Sequence, residues 1–456
     1  MSDMTLAAFV EAAAEKFGVP GVAVAVWADG IETYACHGVT SLENPRPVDE
    51  NTLYSMGSIS KTFTATAMMR LVVQGKVDLD APVRRYLPEL VLQNEEWARQ
   101  ITVLNLLNHT AGLDWRLIVD TGDKDDALAE FVARLVELDQ FAAPGTRASY
   151  SQAGYNLAGR IIEKVTGLTF ERAVQTLVLQ PLGLTNTLYA MDDIMARPTV
   201  AMGHNADDKG EYAIARQWKD NRANNPGGGV ASSVADQLRW ARFHLGDGRA
   251  PDGTELLPIE TLYQMRVPTV ELQSSTLGDA IGISWFLRDV EAIRTVGHGG
   301  SGNGQFAELL IVAERDFAVV VASNASPTGI PCNQAIVRWA LEHYLGVVDR
   351  DPEPEPYEAA RAAEIVGSYE NDVMTFTITT DGTGLSLEVL LKPEIRAASD
   401  VEIPADYDPF EFGLLPGDEY IVTDGALKGQ RGFFTRDATG AVVGVDLAGR
   451  LFNRLS

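Results

Sequence analysis

Apolar residues at Leu6, Phe9, Val10, Ala13 and Phe17 recur at helical spacing and predict an opening helix. Gly21–Trp27 is a short apolar run, Ala28-Asp29-Gly30 is turn-forming, and Ile31–Cys36 follows, which predicts a β-hairpin. Ile59–Gln74 returns to helical period, with Gly75 placed to end it. From about Leu79 to Met265 the pattern is mostly helical with Pro- and Gly-containing loops, clearest over Ala153–Val165 before Thr166-Gly167. Strand texture reappears at Ala307–Val312 and Phe317–Ser323 across Glu314-Arg315-Asp316, and Cys332–Tyr344 reads as an amphipathic helix. Strands at both ends of one region, with helices between, predict an α/β (α+β) fold. Its antiparallel sheet draws on both chain ends, is flanked by helices and carries an inserted helical region.

The pattern then changes. Asp351-Pro352-Glu353-Pro354-Glu355-Pro356 alternates proline with acid and reads as a stiff extended linker. Beyond it come short strand-like runs, among them Thr375–Ile378, Leu385–Val389, Tyr420–Val422, Gly432–Phe434 and Val442–Val445, separated by Asp-Gly, Pro-Gly and Thr-Gly turns. This predicts a small all-β barrel or sandwich. The expected organisation is a main domain over 1–348, a linker over 349–363 and a C-terminal barrel over 364–456.

Charge narrows the partners. The 456 residues carry 37 Lys and Arg against 63 Asp and Glu, a formal charge of −26. Such a surface repels phosphate backbones and anionic lipid, so neither nucleic acid nor membrane is expected as a partner. No apolar run is long enough to span a bilayer, and the N-terminal stretch lacks the basic and apolar segments of an export signal. A cytoplasmic location is expected, with Cys36 and Cys332 as free thiols.

The sequence has no Gly-x-x-x-x-Gly-Lys phosphate loop, no His-Glu-x-x-His metal helix and no Gly-x-Ser-x-Gly elbow. The six histidines are scattered, so no metal and no cofactor is expected. What stands out is Ser58-Ile59-Ser60-Lys61 at a helix start. Residues three apart share a helix face, so a lysine amine can reach the serine hydroxyl. Serine needs such a base or cation to become a nucleophile. Alone, Ser58 reads equally as a helix cap and Lys61 as a solvated cation. The apolar text around Lys61 favours a partnered lysine, because an unpaired one is costly there.

With its surroundings, Ser55–Phe63 resembles the first motif of the serine β-lactamase and penicillin-binding-protein-like family. Leu106–Leu113, Pro144–Asn156, Gly227–Ser233 and Gly297–Ser301 resemble further family segments in family order, covering about residues 10–346. The resemblance implies Ser58 as acylated nucleophile, with Lys61 and Tyr150 sharing proton transfer and His298 completing the catalytic set. It implies the backbone amides of Ser58 and Ser301 as an oxyanion hole, and Gln152, Gly299 and Gly300 as substrate-binding positions. By itself Tyr150 reads as a packed aromatic, and His109 as structural. The second motif usually reads Tyr-x-Asn, here Tyr150-x-Gln152; the third usually opens with lysine, here His298-Gly299-Gly300, placed just before a strand. A permanent cation is thus replaced by a group that ordinarily titrates near neutrality. When charged, His298 would help Lys61 hold Tyr150 as phenolate. Both departures weaken a β-lactamase reading.

The expectation is a serine hydrolase of small esters, amides or short peptides, D-residues included, working through an acyl-Ser58 intermediate. Its partner is then a small-molecule or peptide substrate. An acyltransferase or peptide cyclase would use the same intermediate, a β-lactamase is a further alternative, and a non-catalytic binder on the same fold is a remote one. Gly367–Glu370 and Gly449–Arg454 resemble the ends of a lipocalin-like appendage of some family hydrolases. It covers the active-site mouth, mediates association into a homo-oligomer, or only stabilises the chain; these readings stay open.

Overall fold

The computed structural model describes residues 4–115, 119–207, 209–273, 275–398, 406–425 and 427–455. Its main sheet has eight antiparallel strands. They run in the order Ile31–Gly38, Gly21–Ala28, Phe317–Ser323, Gln305–Val312, Ile293–Gly302, Phe286–Val290, Ala280–Ile281 and Val270–Glu271. The N-terminal hairpin joins the C-terminal strands through Val22↔Ser323 to Trp27↔Ala318, so the sheet does draw on both ends of the region. Phe317–Ser323 is buried along its whole length, which its unbroken apolar sequence requires.

Helices Leu6–Phe17 and Gly329–Ala340 cover one face, with Phe9 stacked on Trp339 at 4.9 Å. Helix Val234–Leu245 and the inserted helical region cover the other. At the centre of that region, helix Ser60–Val73 is buried on nearly every side. Its threonines bridge to carbonyls: Thr62 Oγ1 donates to Ile59 O at 2.8 Å and Thr64 Oγ1 to Pro226 O at 2.6 Å, so their hydroxyls cost little inside.

The C-terminal strands form a closed eight-stranded barrel, sealed where Tyr369 pairs with Arg454. Tyr369, Phe376, Tyr420, Phe434 and Phe452 fill its interior. The segment before it is tied at both ends. Asp349 pairs with Arg288 at 2.6 Å, Asp351 pairs with Arg338, and Glu355 N donates to Leu414 O of the barrel at 2.8 Å. Helix Ala359–Ile365 then leads into the first barrel strand, Gly367–Glu370.

The barrel rests on the main domain through backbone bonds. Tyr150 N donates to Gly449 O at 2.7 Å, and Thr276 N donates to Arg431 O at 3.1 Å. No helix among the described residues is long and apolar enough to cross a membrane.

Two local expectations need correction. His298–Ser301 does not precede a strand; it lies inside Ile293–Gly302. Three glycines in five residues mimic a turn, yet here they let backbones approach closely. The region read as mostly helical also holds short strands at Thr187–Leu188, His204–Ala206, Tyr212–Ile214 and Ala231–Ser232.

Candidate active site

Ser58 sits in the tight turn Gly57–Ile59 that opens helix Ser60–Val73. Ser60 fixes the turn: its hydroxyl donates to Gly57 O at 2.6 Å and accepts from Val230 N at 2.9 Å. Gly57 has φ 46°, and a Cβ there would come within 2.5 Å of Ser301 N. A Cβ on Gly300 would collide with Met56 O and stand 3.2 Å from Ser58 N. The two glycines therefore bring the Ser58 and Ser301 backbones side by side, the arrangement an oxyanion hole needs.

One turn into the helix, Lys61 is fully buried. Its ammonium donates to Gln152 Oε1 at 2.5 Å, to Gly227 O at 2.7 Å and to Ser58 Oγ at 3.3 Å. A lysine has three donors, and these acceptors aim one of them at the serine. Gln152 opens helix Gln152–Thr166, capped by Ser151, whose hydroxyl accepts from Gly154 N at 3.1 Å. Its amide nitrogen donates to Asn224 Oδ1 at 2.6 Å. The Gln152 amide is thus held between Lys61 and Asn224, and Gly227 has no Cβ because one would overlap it. The extra methylene of glutamine spans this gap.

The Tyr150 ring lies 4.7 Å from Lys61 Nζ and 4.9 Å from the Arg450 guanidinium. Its hydroxyl is buried and makes no directed hydrogen bond. Burial pushes it up to about 12, against the pull of the nearby Ser58 hydroxyl and of Arg450. Behind it, His109 packs at 4.5 Å and accepts from Ser151 N through Nδ1 at 3.1 Å. Burial, then the nearby Lys61 and Arg450 cations, hold His109 well below the usual histidine range, which suits a neutral packing role.

His298 differs from the expectation of a group poised near neutrality. Burial first, then Lys61, push it down to about 3, despite a hydrogen bond to Gly299 O. That bond, at 2.6 Å from Nδ1, puts the proton on Nδ1 and leaves Nε2 as an acceptor without a protein partner. The ring is neutral at physiological pH. It supplies no positive field to Tyr150; Arg450 does.

Sequence reading missed Asn224, Arg450 and Glu308. Arg450 follows the Ala448-Gly449 turn of the last barrel hairpin and reaches across the domain boundary, 4.3 Å from the Trp115 ring. A hairpin turn is legible in sequence, but its destination is not. Glu308 looks like any polar position of an alternating strand, yet it lies beside Gly299.

The family model "Beta-lactamase" matches residues 6–341. This chain belongs to the beta-lactamase family. Among relatives, this family member is 33% identical over 364 residues to penicillin-binding protein 4 of Amycolatopsis lactamdurans, covering 78% of this chain and 94% of that one. It is 26% identical to the unguisins hydrolase ungD' of Aspergillus campestris, covering 76% of this chain and 66% of that one. The crystal structure of SurE superposes with a TM-score of 0.76 and 26% identity, over 99% of this beta-lactamase-family chain and 98% of SurE. The likeness to SurE therefore runs through the barrel as well as the sheet domain.

Proposed function

We propose that this protein is a serine hydrolase that cleaves small esters, amides or short peptides through an acyl-Ser58 intermediate. The observation that carries the reading is the Lys61 ammonium, buried, held by Gln152 and Gly227 O, and 3.3 Å from Ser58 Oγ. In acylation, Ser58 Oγ bonds to the substrate carbonyl carbon. In the reactive form the Lys61–Tyr150 pair carries one proton fewer than an ammonium plus a phenol; it takes the Ser58 proton and returns it to the departing amine or alcohol. The amides of Ser58 and Ser301 stabilise the oxyanion. Water then attacks the acyl carbon and frees the acid. His298 contributes a neutral ring whose Nε2 is an acceptor without a protein partner, and Gln152 positions Lys61. A named hydrolase and a penicillin-binding protein among the relatives support acyl-serine chemistry in general.

One observation favours a second reading, acyl transfer to an amine. The barrel turn and Arg450 stand against Tyr150 and Trp115, so the group that receives the acyl chain meets a barrel surface as well as solvent. A fluorophosphonate tests the shared step. The expected result is one adduct by intact mass, with loss of fluoride, mapped to Ser58 and absent in Ser58→Ala. An adduct elsewhere, or none, would overturn the assignment. Hydrolysis is distinguished by product: the free acid should dominate even with millimolar amine, whereas amide as main product selects the transferase.

A further inference from the structure

Glu308 carries a feature that the acyl-serine machinery does not use. It pairs with Gly299 across the strands Gln305–Val312 and Ile293–Gly302. A Cβ at 299 would stand 3.1 Å from Glu308 Oε1 and 3.2 Å from Oε2, so the carboxyl occupies the space glycine leaves open. Among the described residues it has neither a hydrogen bond nor an ion pair. It lines a cavity of about 190 Å³ that His298, Gly299 and Phe286 also border.

Of the three arginines that line the cavity, two are paired with aspartates, and Arg431 has no ion pair among the described residues. Arg288 of the neighbouring strand and Arg338 of the covering helix are neutralised by Asp349 and Asp351 of the interdomain segment. Arg431 of the barrel closes the far side. His298 is neutral, as derived above. Glu308 is half-buried, and desolvation, with no arginine among its causes, raises it to about 7. Near neutrality the cavity thus holds a carboxyl ready to ionise once a cation arrives. A side-chain metal site does not fit, since no three potential ligands cluster among the described residues. An organic ammonium needs only one carboxylate and a walled space.

We infer that Glu308 forms a subsite for a positively charged amine on the leaving half of the substrate. This inference rests on the acyl-Ser58 reading and names its substrate class. Gly299 lies two residues before Ser301 on one strand, about 7 Å away along it. His298 and Tyr150 stand at the same end, where the leaving group collects its proton. Gly300 faces the Ser58 turn and Gly299 faces Glu308, so the leaving half would have to reach past this strand with a basic side chain or a free amino group. A carboxylate in that place would face Glu308 and be repelled.

The test uses the full chain and two nearly isosteric aryl esters, 4-(aminomethyl)phenyl acetate and 4-ethylphenyl acetate, with 4-(carboxymethyl)phenyl acetate as the anion. The wild type is expected to favour the ammonium ester over the neutral one by about tenfold in kcat/KM, and to disfavour the anion. That preference should grow as pH rises through about 7, because Glu308 ionises while the amine stays protonated. Glu308→Gln should bring the preference within about twofold and leave the neutral ester unchanged, since glutamine keeps the shape and loses only the charge. Turnover of all three esters with no charge preference, or a preference that survives Glu308→Gln, would overturn the subsite. Ester turnover that persists in Ser58→Ala would instead overturn the acyl-serine reading, so the two failures are separable.

Discussion

Arg450 of the barrel stands 4.9 Å from the ring centre of Tyr150 of the main domain. The two residues are fastened by backbone as well, through Tyr150 N and Gly449 O at 2.7 Å and through Leu451 N and Ser149 Oγ at 3.3 Å. The barrel is thereby part of the candidate site. Its cation lowers the cost of forming the Tyr150 phenolate in a place where burial raises it.

Arg450→Ala should therefore move Tyr150 upward from about 12 and slow acylation by about tenfold. The Tm should change little, because the turn's backbone bonds remain. Single-turnover acylation across pH is the measurement. A slowed rate whose pH profile keeps its position would mean that Arg450 acts by shape alone.

Lys61→Ala and Tyr150→Phe should each reduce acylation by about 10²–10⁴-fold, the usual span for general-base catalysis. Their double variant should lose little more than either single one, because the two groups move one proton. Multiplicative losses in the double variant would show independent roles. Gln152→Asn should cost less, about tenfold in kcat, since the shorter amide cannot hold both Lys61 and Asn224. Equal activity of Gln152→Asn would remove Gln152 from positioning Lys61.

His298, held near 3 by burial and Lys61, should leave kcat/KM for a neutral ester without an inflection of its own between pH 6 and 7. Its folded pKa lies below its unfolded value of about 6.5. Its contribution to stability is thus complete above about pH 6.5 and is lost as pH falls toward about 3. Profiles of the wild type and His298→Asn should share the same inflections. One near pH 6–7 present only in the wild type would show that His298 titrates there after all.

The parts of this fold that were legible in sequence are those with a local cause. The opening helix, the hairpin at Asp29-Gly30, the buried strand Phe317–Ser323 and the Ser58–Lys61 spacing all follow from periodicity or helix geometry. What escaped has a non-local cause. The His298–Ser301 stretch is held by pairing with Gln305–Val312 on one side and by the Gly300–Met56 approach, neither visible in a glycine-rich string. The neutrality of His298 comes from Lys61, 237 positions earlier, and from burial. Arg450 and Glu308 gain meaning only from the residues opposite them.

The last prediction concerns the seam between barrel and main domain. Asp446 is buried with Oδ1 unpartnered, and burial raises it to about 8 although Gly449 N, Arg450 and Ser275 pull it down. Asp372 is also raised, by burial and by the carboxyls of Asp114 and Asp139; its backbone N donates to Asp114 Oδ2 at 3.0 Å. Both groups hold protons in the folded protein that an unfolded chain, with aspartate near 3.9, has released. Native protein binds more protons than unfolded protein between about pH 4 and 8. Stability is full below that window and falls as pH rises through it. Asp446→Asn keeps the shape and removes the ionisation. Its Tm should match the wild type below about pH 4 and exceed it at pH 9, by about 1 °C for each 1 kcal/mol recovered in a chain of this length. Chemical denaturation at the two pH values should show the same crossover. A variant that loses stability at pH 9 would mean that Asp446 is ionised there and that its attraction to Arg450 outweighs burial.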